Sequence, residues 1–275
     1  MPALVDATGA SLITGQPRRR IVSLIPSTTE ALCALGLADA LVGVTAYCRE
    51  PAAVTRTKTR VGGEKDPDLD RIRALAPDLV IANIEENVAA HVETLRGWGV
   101  SVWVTYPRTV DASLAMIREL GEVTGARAAA AAMLAELEPL VAHVRATVGV
   151  RKPVPVFYAI WRNPYMTIGP DTYAHDVLAL CGAANVFGDS SERYPAVTLE
   201  AVAARRPGVI VLPDEPFRFR AIHVRDFDAF PDVPAVRERR VVLVDGKPFT
   251  WHGPRLAEAI RTLPPLFHPE LGAAA

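Results

Sequence analysis

Short runs of aliphatic and β-branched residues recur along the chain, separated by segments whose apolar positions have a helical spacing. Continuous apolar runs of this kind are typical of parallel strands that are buried on both faces. Strands are predicted at residues 21–25, 41–45, 79–82 and 102–105 in the first half, and at 154–160, 209–212 and 241–244 in the second. Helical patterns alternate with them at 28–35, 67–75, 87–98 and 198–205. The alternation predicts an α/β fold with parallel sheets.

A long helical stretch separates the two sets of strands. Gly125 interrupts it, and residues 126–148 form an alanine-rich helical pattern that contains Pro139. A flexible linker would be rich in glycine and serine, so this composition predicts a stiff connecting helix instead. We therefore expect an N-terminal α/β lobe at 1–110, a helical connector at 111–150 and a C-terminal α/β lobe at 151–275.

An internal repeat supports two lobes of similar build. Residues 69–81 and 199–211 share, in register, a leucine, an acid, an aliphatic residue, an alanine and a proline, followed by an apolar strand. The alternative is that any helix–proline–strand unit has this appearance. The repeat favours two Rossmann-like lobes with parallel sheets, joined by one long backbone helix.

Composition and charge exclude several functional classes. Lys and Arg number 30 and Asp and Glu number 31, a balance that disfavours nucleic acid as a partner. None of the 3 cysteines forms a C-x-x-C motif, and no metal site is predicted. The sequence lacks G-x-S-x-G, P-loop and G-x-G-x-x-G motifs. We predict that the protein is not an enzyme.

Several aromatic residues follow predicted strands or lie beside proline and glycine. In α/β folds, ligands bind beyond the carboxyl ends of the strands, and flat rings suit a large, flat, partly apolar ligand. The alternative is scattered packing of the rings. His252 is predicted at the mouth of the cleft. The aromatic residues predicted to bind ligand are Tyr47, Trp161, Tyr165, Tyr194 and Trp251.

Asp70 and Glu200 occupy equivalent places in the repeat, each in the first turn of a predicted helix. One interpretation is that acids at these positions stabilise the positive helix end. The other is that one carboxylate on each lobe forms a two-point docking face for arginines of a symmetric partner.

The chain resembles the class III periplasmic binding proteins, also called helical-backbone metal receptors, a family that includes cobalamin receptors. The resemblance begins at Arg20-Ile21-Val22-Ser23-Leu24-Ile25-Pro26-Ser27-Thr28-Thr29-Glu30. Further similar segments are 35–37, 42–51, 61–63, 67–72, 160–169, 185–187, 194–195, 199–200 and 245–246.

The resemblance implies a substrate-binding component of an ABC importer that binds a cobalt corrinoid or iron chelate between two lobes and has no intrinsic cofactor. It implies a monomer whose partner is a permease dimer, docked through Asp70 and Glu200. Tyr47 and Tyr194 match ring positions of the family's pocket. Glu64 and Asn83 stand where cobalamin receptors carry tryptophans, and these two are also predicted to contact the ligand.

Two other functions stay open at this level. Members of the family are periplasmic or attached to the cell surface, whereas this chain starts without an apparent signal peptide and as written would be cytoplasmic. Either the true start lies upstream, or the protein is a cytosolic carrier or sensor of a corrinoid, haem or metal chelate, which is the alternative to a transport receptor. An enzyme on a related two-lobe scaffold is the third possibility.

Overall fold

The computed structural model describes residues 3–272 and contains the predicted alternation of strands and helices. The chain forms two units. Unit 1 contains the residues up to Pro107 with Asp111–Glu138 and His252–Pro254, and unit 2 contains Arg108–Val110, Pro139–Trp251 and the residues from Arg255 onward. Each unit holds its own sheet, which confirms the prediction of a two-lobed α/β fold.

The strands of unit 1 are β1 (Ala3–Val5), β2 (Ser11–Ile13), β3 (Ile21–Ser23), β4 (Leu41–Val44), β5 (Thr59–Arg60), β6 (Leu79–Asn83) and β7 (Val102–Thr105). The last five form a parallel sheet with the order β5-β4-β3-β6-β7, and β1 and β2 form a separate hairpin. The helices of unit 1 are α1 (Pro26–Ala34), α2 (Ala52–Thr55), α3 (Leu69–Ala74) and α4 (Ala89–Gly97), followed along the chain by α5 (Val110–Thr124) and α6 (Arg127–Thr147). Every residue of β3, β6 and β7 is buried, as the continuous apolar runs predict.

Unit 2 contains a six-stranded mixed sheet. Its strands are β8 (Val154–Trp161), β9 (Tyr165–Thr167), β10 (Ala183–Asn185), β11 (Ala196–Val197), β12 (Val209–Pro213) and β13 (Val241–Val244). Strands β10, β8, β12 and β13 are parallel, whereas β9 and β11 add an antiparallel extension. Its helices are α7 (Tyr173–Leu180), α8 (Leu199–Ala204), α9 (Ala221–Val224), α10 (Pro234–Arg237), α11 (Lys247–Thr250) and α12 (Leu256–Phe267).

The antiparallel strands depart from the prediction of a purely parallel sheet. The chain reverses between β8 and β9 at Asn163, which has a positive φ of 65°. Asparagine tolerates this left-handed conformation better than most residues. The reversal is too short for the helical crossover that a parallel neighbour requires, so β9 must run antiparallel to β8.

The long alanine-rich helix is present as α6, which has 21 residues and continues through Pro139. Gly125 separates it from α5 with a φ of 80°, a conformation that glycine adopts without steric cost. The boundary between the two units falls inside α6, between Glu138 and Pro139.

The sequence repeat corresponds to two similar helix–turn–strand segments. The Asp68 side chain accepts a hydrogen bond from the Arg71 N–H at the start of α3, and Thr198 accepts one from Ala201 at the start of α8. These N-caps satisfy backbone donors that have no partner within the helix. After each helix the residue before the proline, Ala76 in unit 1 and Arg206 in unit 2, has a positive φ of 44° and 48° respectively.

The N-terminal hairpin β1–β2 is held to the free edge of β7 by Asp6. The Ala7 N–H donates to the Val104 carbonyl at 3.0 Å, and the Val104 N–H donates to Asp6 Oδ2 at 3.1 Å. Arg96 Nη2 also donates to Asp6 Oδ2, at 2.7 Å, and the Asp6 side chain is almost fully buried. The hairpin therefore covers backbone groups that an edge strand would otherwise expose.

Replacing Asp6 with alanine is expected to lower the free energy of unfolding by about 2–3 kcal/mol. The change leaves the Arg96 guanidinium and backbone donors without their buried acceptor. Urea unfolding of Asp6→Ala measures the loss. The control is Glu93→Gln, which removes the exposed second partner of Arg96 and should cost less than about 0.5 kcal/mol. Equal losses in the two variants would contradict this role of Asp6.

Candidate ligand site

Two predicted ligand residues of unit 1 lie on adjoining loops beyond the carboxyl ends of its strands. Tyr47 follows β4 and its side chain is 57% exposed. Glu64 follows β5 and two glycines, and a Cβ atom at Gly63 would lie 3.7 Å from Tyr47 Cε2. The Ala46 N–H donates to the Gly62 carbonyl at 2.8 Å, which ties the two loops together. Unit 1 thus presents an exposed ring beside a polar loop.

Asn83, the last residue of β6, organises this edge of unit 1 through internal hydrogen bonds. It is buried, its Nδ2 donates to Thr105 Oγ1 at 3.2 Å, and its Oδ1 accepts from the Glu85 N–H at 2.8 Å. Asn87, which the sequence did not single out, accepts from the Asn83 N–H at 2.8 Å and donates to the Glu64 carbonyl at 3.0 Å. Contact between Asn83 and a ligand stays a prediction.

His252 is packed inside unit 1. Its Nδ1 lies 3.3 Å from Ser27 Oγ on α1, and the Gly253 N–H donates to Ser113 Oγ at 2.9 Å. Burial lowers the pKa of His252 to about 4, although the Glu85 carboxylate acts in the opposite direction. A buried ring in this state is neutral at physiological pH. Its placement at a cleft mouth stays a prediction.

Trp161 is the most exposed of the predicted ligand residues in unit 2. It is the last residue of β8 and is 43% exposed. The Phe217 ring packs against it edge-to-face, with centroids 5.6 Å apart, and Phe217 in turn contacts Phe219 at 4.8 Å. Phe217 therefore supports the indole, while much of the Trp161 side chain is accessible.

Tyr165, by contrast, belongs to a partly buried polar network. Its hydroxyl donates to Asp226 Oδ2 at 2.6 Å, and Arg162 donates to both oxygens of the same carboxylate, at 2.6 and 3.1 Å. The Arg162 guanidinium lowers the pKa of Asp226, and burial together with the Asp226 carboxylate raises the pKa of Tyr165. The Tyr165 ring stacks on Phe219. The network fixes the segment after β8, and ligand contact by Tyr165 stays a prediction.

The remaining two rings of unit 2 lie beside cations. Trp251 has the Arg255 guanidinium 5.5 Å and the Lys247 ammonium 6.0 Å from its ring centroid. Tyr194 is exposed and has the Arg193 guanidinium 5.6 Å from its ring. Each ring therefore has a cation–π contact with a neighbouring basic side chain.

Asp70 and Glu200 are both exposed, and each is the second residue of its helix, α3 in unit 1 and α8 in unit 2. Neither carboxylate serves as the helix cap, because Asp68 and Thr198 fill that role. The two acids are thus accessible to a partner in each unit.

Within residues 3–272, no group of three or more His, Cys, Asp or Glu side chains is arranged to hold a metal ion. In the same part of the chain, no helix is long and apolar enough to cross a membrane.

Comparison with known proteins identifies relatives that cover most of the chain. The vitamin B12-binding protein of Vibrio campbellii is 31% identical over 205 residues, which span 73% of this chain and 72% of the relative. The vitamin B12-binding protein of Photorhabdus laumondii is 30% identical over 193 residues, or 70% of each chain.

Solved structures of binding proteins are also similar to this chain over most of their length. The periplasmic vitamin B12 binding protein BtuF of Vibrio cholerae has a TM-score of 0.82 and 25% identity, covering 93% of this chain and 99% of that one. The periplasmic haem-binding protein BhuT, in complex with two haems, has a TM-score of 0.82 and 26% identity, covering 94% and 100%.

Residues 21–248 match the family described as Periplasmic binding protein. This match confirms the resemblance predicted from the sequence, and it confirms the prediction that the protein is not an enzyme, because the family consists of binding proteins. The chain belongs to the periplasmic binding protein family.

Proposed function

We propose that this protein is the substrate-binding component of an ABC importer and that its ligand is a planar metal chelate, a cobalt corrinoid or an iron chelate such as haem. Family membership supports the transport role, and the relatives named above bind vitamin B12 or haem. The observation that carries the ligand class is the pair of exposed rings at the carboxyl ends of two strands: Tyr47 follows β4, and Trp161 is the last residue of β8.

The exposure of these rings has a physical cost that a ligand would remove. An exposed aromatic side chain keeps apolar area in water, and burying that area is worth about 25 cal/mol per Å². Phe217 packs against Trp161 and the side chain is 43% exposed, so a flat ligand can stack on the accessible part of the indole. In unit 1, the loop that carries Tyr47 adjoins the polar loop that carries Glu64. A ring beside a polar loop suits a ligand with a polar edge.

Replacing Trp161 with alanine is expected to weaken binding of the chelate about tenfold, equivalent to ~1.4 kcal/mol, because the stacking surface is lost. Tyr47→Ala should have a similar effect from unit 1. The measurement is a titration with ferric protoporphyrin and with cyanocobalamin, followed by absorbance, using whichever of the two binds the wild type.

Trp98 provides a matched control for these variants. It is 36% exposed and has Arg73 4.9 Å from its ring, but it precedes β7 and thus lies at the amino end of the parallel strands. Trp98→Ala should leave the affinity unchanged. Unchanged affinity in both Tyr47→Ala and Trp161→Ala would refute the placement of the ligand on these rings.

The second part of the proposal concerns the permease. We assign docking to Asp70 and Glu200, one acid from each unit. Two observations support this assignment: both side chains are exposed, and both occupy the same position of a repeated helix–strand segment. A permease with two-fold symmetry presents the same cationic groups twice, and a repeated acid is the complementary arrangement.

A further inference from the structure

The turn that carries Tyr47 has two buried ends and an exposed middle. In this Tyr47 turn, residues 45–48, the Cys48 N–H donates to the Thr45 carbonyl at 3.2 Å, a hydrogen bond of the kind that closes a four-residue β-turn. Thr45 and Cys48 are fully buried, whereas Ala46 and Tyr47 between them are exposed. The direction in which the Tyr47 ring points is therefore set by what holds the two buried ends.

Arg60, the last residue of β5, connects these two ends. Its Nη1 donates to the Thr45 carbonyl and to the Cys48 carbonyl, each at 2.7 Å. Hydrogen bonds from a charged donor are shorter and stronger than those between neutral groups. Arg60 pairs in the sheet with Val44, the residue directly before the Tyr47 turn, so the register of β4 and β5 places the guanidinium beside the turn.

A chain of buried polar side chains ties the Tyr47 turn to the rest of unit 1. Cys48 Sγ lies 3.1 Å from Thr29 Oγ1 on α1 and 3.1 Å from Thr45 Oγ1. Thr29 Oγ1 in turn lies 2.8 Å from Ser23 Oγ on β3. Burial also raises the pKa of the Cys48 thiol. A buried, protonated thiol reacts slowly with alkylating reagents, so the reactivity of Cys48 reports on opening of the turn.

We infer that Arg60 is a positioning residue for the ligand: its guanidinium holds the Tyr47 turn in the conformation that presents the Tyr47 ring. The inference rests on the proposed function and adds a residue that contributes affinity through Tyr47. A side chain that is already ordered loses less conformational freedom on binding. When only a fraction of the molecules holds the binding conformation, the apparent affinity falls by that fraction. Loss of the two bonds should therefore weaken binding although every ring is retained.

The variant Arg60→Met keeps an unbranched side chain and removes both donors. Alkylation of the purified protein with N-ethylmaleimide, located on each cysteine by mass spectrometry, measures how often the turn opens. Cys48 should react at least tenfold faster in Arg60→Met than in the wild type, because opening of the turn exposes it. Cys181 is also fully buried but belongs to unit 2, and an unchanged rate there shows that the variant remains folded.

The matched control is Arg20→Met. Arg20 also donates to two backbone carbonyls, those of Leu75 and Ala76, at 3.0 and 3.1 Å, but these lie at the end of α3. The control thus removes the same kind of bond away from the Tyr47 turn. It should leave both the labelling of Cys48 and the affinity for ligand unchanged.

Binding is measured by titration with ferric protoporphyrin, cyanocobalamin and ferric citrate, using whichever of them binds the wild type. Arg60→Met should weaken that binding at least threefold. The double variant Tyr47→Ala/Arg60→Met should bind as Tyr47→Ala does, within twofold, because Arg60 acts through the ring of Tyr47. A role of Arg60 in general stability would instead change the labelling of Cys181 as well.

Unchanged labelling of Cys48 in Arg60→Met, or equal acceleration at Cys48 and Cys181, would overturn the inference. Unchanged affinity of Arg60→Met would do the same, as would an equal loss when Arg60→Met is added to the wild type and to Tyr47→Ala. These results leave the proposed function intact, because the wild type still binds a probe. Failure of the wild type to bind any of the three probes would overturn the proposed function and the inference together.

Discussion

Reversing both docking acids, in the variant Asp70→Lys/Glu200→Lys, is expected to abolish ligand uptake by cells that express the permease. Each acid is exposed near the start of a helix and free to meet a cation of the permease. Charge pairs across an interface contribute about 1.5 kcal/mol or more each. Replacing two attractive pairs by two repulsive ones should weaken docking at least ~100-fold.

The ligand affinity of the purified variant should equal that of the wild type, because neither acid belongs to the aromatic loops. The matched control is Glu93→Lys/Glu238→Lys, which reverses two exposed acids, one on α4 and one directly after α10. It should support normal uptake. Lysine near a helix N-terminus costs about 0.3–1 kcal/mol of stability, so both double variants are compared at equal protein levels. Normal uptake with Asp70→Lys/Glu200→Lys would favour the cytosolic carrier, in which the acids serve only as helix-end stabilisers.

The buried His252 is expected to make the protein less stable in mild acid. Burial lowers its pKa to about 4 in the folded state, whereas the unfolded chain has the ordinary value of 6.5. Between these values the unfolded state binds more protons, so the free energy of unfolding falls as the pH is lowered through 6.5 towards 4. At 1.36 kcal/mol per pH unit, the loss is about 2 kcal/mol between pH 6.5 and 5 and ~3 kcal/mol in full.

Urea unfolding of the wild type and of His252→Asn across pH 5–7.5 measures this effect. Asparagine retains a polar atom near the position of Nδ1, which faces Ser27 at 3.3 Å, but it does not titrate. Burial also lowers the pKa of His175, so the difference between wild type and variant isolates His252. The variant should lose about 2 kcal/mol of the pH dependence. Parallel curves for wild type and His252→Asn would contradict the buried neutral state.

The buried parallel strands were predictable because burial on both faces requires a continuous run of apolar residues. Strand β7 was predicted with its observed bounds, and β6 and β12 within one residue, since continuous apolar runs mark strands covered on both faces. The antiparallel β9 was missed because the segment that contains it carries no alternating pattern. Its direction is set by the reversal at Asn163, which the composition of the segment does not reveal.

The candidate site was only partly predictable, because exposure depends on partners that are distant in sequence. The sequence predicts that Tyr165 is an accessible loop residue. In the structure its hydroxyl donates to Asp226 and its ring stacks on Phe219. The sequence predicts that His252 lies in an accessible loop. In the structure its ring is buried and Nδ1 lies 3.3 Å from Ser27 Oγ on α1. The segment that packs against Trp161 was overlooked, although the alternation of Phe217, Arg218, Phe219 and Arg220 is visible in the sequence and is typical of a half-buried strip.

The most direct test of the central claim, that this protein binds a planar metal chelate, is a fluorescence titration of the purified protein with ferric protoporphyrin, cyanocobalamin and a ferric siderophore. The chain has 4 tryptophans, and Trp161 is the most exposed of them. We predict saturable 1:1 quenching by at least one chelate with a Kd of about 1 µM or tighter, and we expect Trp161→Phe to remove most of that quenching while Trp98→Phe does not. Absence of saturable binding for all three chelates would contradict the proposed function.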